Sequence, residues 1–159
     1  MKMSTPQKPD RALLENWLDE SHVAYDLCRQ CPGLHIRALQ AIEGVVDSRL
    51  LLERYGLLLT TELEIRPMAL LAIAADLGRL NMDYPTLKVF LDIVDDATPQ
   101  LVIAGVLPAS AGINLQQFAG FVAGTMEATR QIADECLRLD YLFQAAEGAD
   151  LPGPTSALH

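Results

Sequence analysis

Basic residues are scarce in this chain: 12 lysines and arginines stand against 21 aspartates and glutamates, a net charge of −9 over 159 residues. Sequence-independent binding to DNA or to an anionic membrane needs the opposite balance, because it rests on Lys and Arg neutralising phosphate. Neither direct nucleic-acid binding nor membrane binding is therefore expected. Cysteine is sparse and odd in number at three, which argues against a disulfide framework and for a reducing compartment. No run approaches the ~20 apolar residues that span a bilayer. Residues 1–10, polar with two prolines, lack the apolar core of a signal peptide, so a cytoplasmic protein is expected. Histidines occur only at 22, 35 and 159, in no pattern that pairs a nucleophile with a base. Gly105, Gly112, Gly120 and Gly124 are spread out rather than gathered into a phosphate-cradling loop. The expectation is a protein that is not an enzyme and carries no cofactor.

What is present is apolar mass: 50% of the residues are hydrophobic, enough for one core at this length without staples. The reading is a disordered N-terminus over 1–9, a single domain over 10–144 and a flexible tail over 145–159. Asp10 can cap a first helix with Leu13, Leu14, Trp17 and Leu18 on one face, Trp17 being its core anchor. Extended segments follow at 23–28 and from Leu34 onward, separated by Pro32-Gly33. Residues 36–50 are divided: Ile36, Leu39, Ile42, Val46 and Leu50 fit a helical period, while Gly44 and Val45-Val46 favour a strand. Strands at 48–55 and 57–65 form a meander, the second with Leu57, Leu59, Thr61, Leu63 and Ile65 on one face.

Pro67 opens a helix whose stripe is Leu70, Ile73, Ala74, Leu77 and Leu80, with Ala72, Ala74 and Ala75 allowing close packing. Residues 86–95 alternate, with Leu87, Val89, Leu91 and Ile93 on the core side and Lys88, Phe90, Asp92 and Val94 on the other. A turn leads back through 101–107. Asn114 with Gln117 makes a capping box, Ile113 can staple onto Phe118, and a long stripe runs through Phe118, Val122, Thr125, Thr129, Ile132, Cys136, Leu139 and Phe143. The fold class is α+β, an antiparallel sheet with covering helices in the order α-β-β-β-β-α-β-β-α.

A set of strings in this order resembles the bacterial YbjN family, called sensory transduction regulators. They are Leu14-Glu-Asn-Trp-Leu18, Cys28-Arg-Gln-Cys31 with Leu34-His35, Glu43-Gly-Val-Val-Asp47, Arg66-Pro67 and Ala74-Ala-Asp-Leu77. Lys88-Val-Phe-Leu-Asp92, Asp95-Asp96, Leu101-Val102 and Gln117-Phe118-Ala119 complete the set. The resemblance implies a fold similar to type III secretion chaperones and a non-enzymatic regulatory role in bacterial surface behaviour, such as motility or exopolysaccharide. It implies no ligand and no mechanism.

Cys28-x-x-Cys31 with His35 is the one constellation with site chemistry, since two thiols at that spacing can hold a metal ion or form a redox pair. A structural zinc site takes four ligands, and incidental cysteines are the plainer reading. Gly120 and Gly124 read as a small surface for close helix packing. Asp92, Asp95 and Asp96 could bind a cation but read as solvated turn charges. Phe90, Val94, Val102 and Val106 leave apolar surface on the second face of the hairpin, suited to a protein partner or a homodimer, unless the long helix crosses it. Two other functions stay open beside regulation by protein binding: a chaperone-like holder of an unfolded segment, and a redox or metal sensor using Cys28 and Cys31.

Overall fold

The computed structural model describes residues 5–94 and 97–143. Its frame is a six-stranded antiparallel sheet in the order β1-β2-β3-β4-β6-β5. The strands are β1 Tyr25–Leu27, β2 Leu34–Ile36, β3 Val45–Glu53, β4 Gly56–Glu64, β5 Leu87–Asp92 and β6 Gln100–Pro108. The helices are α1 Arg11–Glu20, α2 Arg37–Gln40, α3 Leu70–Asp83 and α4 Leu115–Arg138, with a 3-10 turn at Pro67–Ala69 leading into α3. The α+β class with its antiparallel sheet is as expected, and the one additional element is α2.

That turn settles the divided stretch. Ile36 ends β2, only Arg37–Gln40 are helical, with Ile36 and Leu39 buried, and the strand begins at Val45, after Gly44 turns the chain at φ 87°. β3 and β4 then close through Arg54-Tyr55, with Glu53 opposite Gly56. A Cβ at Gly56 would lie 2.1 Å from the Leu107 carbonyl oxygen, and its φ is 147°, so the turn requires glycine there.

Period-two alternation decides the layering. Leu57, Leu59, Thr61 and Leu63 of β4 share a face with Leu101 and Ile103 of β6 and with Leu87 and Val89 of β5, by the strand register. The helices cover that face. At one end Leu14, Trp17 and Leu18 of α1, Leu39 of α2, and Phe118 and Val122 of α4 pack with Leu34, Ile36, Leu50, Leu57 and Leu59. At the other, Ile73 and Leu80 of α3 and Ile132, Ala133 and Cys136 of α4 pack with Leu63, Leu87, Val89, Leu101 and Ile103. α4 is common to both. Its start is secured as expected: Asn114 Oδ1 accepts from the Gln117 N–H at 2.8 Å, and Gln117 Oε1 accepts from the Asn114 N–H at 2.9 Å.

Several expectations need correction. α4 stops at Arg138, so Leu139 and Phe143 leave the stripe and are exposed. The stop is a Schellman arrangement, Tyr141 N–H to Cys136 O at 2.9 Å and Asp140 N–H to Leu137 O at 3.1 Å, with Asp140 rather than glycine at φ 60°. Strand β5 ends at Asp92, and Ile93 is exposed instead of facing the core. Ala72, Ala74 and Ala75 face solvent rather than a packing partner. Gly120 and Gly124 likewise meet nothing within 4 Å of a built Cβ; the close approach is instead at Gly105, where a Cβ would lie 2.9 Å from Thr125 of α4. Within the stretch expected to be disordered, Gln7 exchanges backbone hydrogen bonds of 2.8 and 2.9 Å with Ile113. The tail over 145–159 lies outside the described residues.

Polar contacts tie the helices down. The Asn81 side chain donates to the Leu77 and Val89 carbonyls at 2.8 and 2.9 Å and accepts from the Val89 N–H at 2.9 Å. Arg79 of α3 reaches Glu135 of α4 at 2.6 Å while also pairing with Asp76.

Trp17 is 5% exposed and its ring centroid lies 5.4 Å from that of Phe118, joining α1 to α4. Trp17→Ala is expected to cost about 3 kcal/mol or more of unfolding free energy, measured by urea denaturation. A loss below about 0.5 kcal/mol would mean that the ring is not a core anchor.

Candidate functional site

With every helix on one side, the second face of the sheet is uncovered by any described element. The register sets out its residues in rows. Asp26, His35, Arg49, Thr60, Ala104 and Lys88 are successive partners across all the strands. A second row is Asp47, Glu62, Val102 and Phe90, and a third is Leu51, Leu58 and Val106. The face is consequently zoned: charged and polar over β2 and β3, largely apolar over β6, and mixed over β5, where Phe90 stands between Lys88 and Asp92 with the Lys88 Nζ 5.5 Å from its ring centroid.

The polar zone holds the cysteines. The loop between β1 and β2 carries Cys28 and Cys31, both half-buried and free, and brings them over His35. One ligand atom each from Cys28, Cys31 and His35 lies within 4.8 Å of the others, with Cys31 Sγ 3.8 Å from His35 Nε2. The loop is held in part by the Gln30 N–H, which points to Cys28 Sγ at 3.4 Å. His35 is aimed by its other nitrogen, Nδ1 lying 2.9 Å from Asp47 Oδ1.

Arg49 lies beside this group, Nε 3.0 Å from Asp47 Oδ2 and Nη2 3.3 Å from Glu62 Oε1. The Asp47 contact is close but poorly aligned, so the buried Nε–H has no hydrogen-bond acceptor among the described residues. The Cys31 thiol is held down to about 7, chiefly by the hydrogen bond from Cys28, with Gly33 N–H, Arg49 and His35 adding against partial desolvation. Cys136, on the buried stripe of α4, is pushed the other way, to about 12, mainly by burial. It has no part in the cluster.

The structure brings Cys28, Cys31 and His35 together; the spacing along the chain gave no sign of Asp47 and Arg49 beside them. Their signal is the alternation along β3, which becomes usable only once the pairing of His35 with Arg49 is known.

In the apolar zone Phe90 is 38% and Val106 48% exposed, both on the uncovered face. Val102 is only 7% exposed: its position between Phe90 and Glu62 in the register shields it, which corrects its place as a surface residue. Val94 is exposed beyond the end of β5. Asp92 is exposed, while Asp95 and Asp96 lie outside the described residues. A separate cavity of about 430 Å³ lies between β6 and α4, lined in part by Val106, Phe121, Gly120 and Gly124. None of the described helices is long and apolar enough to cross a membrane.

Thiol reactivity separates the cysteines. In metal-free buffer, alkylation of Cys31 followed by mass spectrometry should rise with pH and reach half its limiting rate near pH 7, the lowered pKa favouring thiolate. Cys136 should label only on unfolding. Equal labelling of the two in the folded protein at pH 7 contradicts this arrangement.

Comparison with known proteins agrees with the fold. A family model named YbjN and described as "Putative bacterial sensory transduction regulator" matches residues 10–138. "Uncharacterized protein YbjN" of Escherichia coli (strain K12) is 36% identical over 119 residues, 75% of each chain, and the protein of that name from Shigella flexneri matches to the same extent. The solved structure described as "Crystal structure of YbjN, a putative transcription regulator from E. coli" superposes with a TM-score of 0.85 at 32% identity, covering 89% of this chain and 100% of that one.

Proposed function

The chain belongs to the YbjN family, and we propose that it is a regulatory protein of the cytoplasm that acts by binding another protein and catalyses no reaction. The observation that supports this reading is the uncovered sheet face, on which Val106 stands exposed beside Leu58 and Ala104, and Phe90 stands exposed beside Val102 with Lys88 over its ring. An antiparallel sheet with one face packed commonly turns a polar face to water; apolar side chains grouped there suit a protein contact. The net charge of −9 weighs against direct contact with DNA, since phosphate neutralisation needs clustered Lys and Arg. Regulation then passes through a protein partner. Bacterial surface behaviour, such as motility or exopolysaccharide production, is the output this reading carries over from the family resemblance.

A second copy of the chain is the simplest partner, because two apolar zones laid together make an isologous contact and bury the same residues twice. Light scattering of the wild-type protein is expected to give the mass of a dimer. Phe90→Glu and Val106→Glu, made separately, should lower it to that of one chain while the melting temperature stays within a few degrees. A wild type that is monomeric throughout, with Phe90→Glu merely unfolding the chain, would sink the reading.

A further inference from the structure

Protein binding through the apolar zone leaves the cluster over β2 and β3 without a role. We propose that Cys28 Sγ, Cys31 Sγ and His35 Nε2 form a site for a borderline-soft divalent cation of the zinc type, three-coordinate from the protein with a fourth position open. The donor set selects the cation: two sulfurs and an imidazole suit zinc, whereas magnesium and calcium take oxygen ligands.

The geometry is close to what such an ion needs. Bonds of about 2.3 Å to sulfur and 2.0–2.1 Å to nitrogen at tetrahedral angles put the donor atoms about 3.5–3.8 Å apart. Cys31 and His35 are already at 3.8 Å, and the three donors lie within 4.8 Å, so the loop between β1 and β2 has to tighten by about 1 Å at most.

The independent observation is Asp47. A histidine that ligates through Nε2 characteristically gives its Nδ1–H to a carboxylate, which fixes the ring's orientation and tautomer. His35 makes that contact with Asp47 at 2.9 Å. Arg49, whose charge opposes a cation, now reaches Cys31 as well as Asp47 and Glu62, and on binding gives up the sulfur and keeps the two carboxylates. Binding takes both sulfurs as thiolates and releases any thiol protons to water. Neither hydrophobic cluster contains Cys28, Cys31 or His35, so the fold stands without the ion, unlike a structural zinc site.

Cobalt(II) is the probe, titrated into the full-length reduced protein without oxygen. A sulfur-to-cobalt charge-transfer band with tetrahedral d–d bands should saturate at one equivalent and be displaced by zinc. Cys28→Ser, Cys31→Ser and His35→Ala should each remove the saturating signal, and each variant should melt cooperatively within a few degrees of the metal-free wild type. Asp47→Asn should keep the stoichiometry and weaken zinc binding about 10–100-fold, as loss of an outer hydrogen bond does elsewhere. The proposal is overturned if no thiolate–cobalt band forms, if the band survives His35→Ala unchanged, or if the reduced protein binds no metal and readily forms a Cys28–Cys31 disulfide instead.

Discussion

One long helix laid across one face of a sheet is the contact on which the other elements depend. α4, 24 residues long and hence about 36 Å, touches α1 and the β2–β4 end through Phe118 and Val122 and the α3 and β5 end through Ile132, Ala133 and Cys136. Midway, Thr125 sits over Gly105 in β6, where a larger residue would lift the helix from the strand. Neither end of the molecule has a core of its own that omits α4. The cost of this arrangement is one-sidedness. All the helical cover is used on a single face, and whatever the second face carries is left to water or to a partner.

That division explains how two different chemistries share one surface. Alternation makes each strand contribute every second residue to the open face, whether or not it is polar, so the character of the face changes as the strands change. β2 and β3 contribute His35, Asp47 and Arg49; β6 and β5 contribute Val106 and Phe90. A dry contact and a ligand cluster can therefore lie on one sheet without disturbing the core behind it.

Much of this was legible beforehand because it is local. The Asn114 and Gln117 box, the β5 alternation at Leu87 and Val89, the Tyr55-Gly56 corner and the family strings from Leu14 to Ala119 all sit within a few residues of their own signal. The failures are equally specific. The end of α4 was missed because Asp140 takes the left-handed position that glycine usually announces. Val102 was placed on the surface because its shielding comes from flanking strands, one of them 40 residues earlier in the chain at Glu62. Asp47 and Arg49 escaped for the same reason: their relation to His35 is a matter of strand order, and no spacing along the chain encodes that order.

The edges of the sheet bear on how many molecules can meet, and in what way. At β5 the Asn81 side chain already satisfies both backbone groups of Val89, acting as a one-residue imitation of a neighbouring strand. At the opposite edge β1 is only three residues long. Chains that meet in a crowded solution thus find little backbone free to zip onto. Growth of one sheet into the next, the usual route from a half-covered sheet to a fibre, is blocked at the margin, and encounters are turned towards the face, where side chains rather than peptide groups decide who stays.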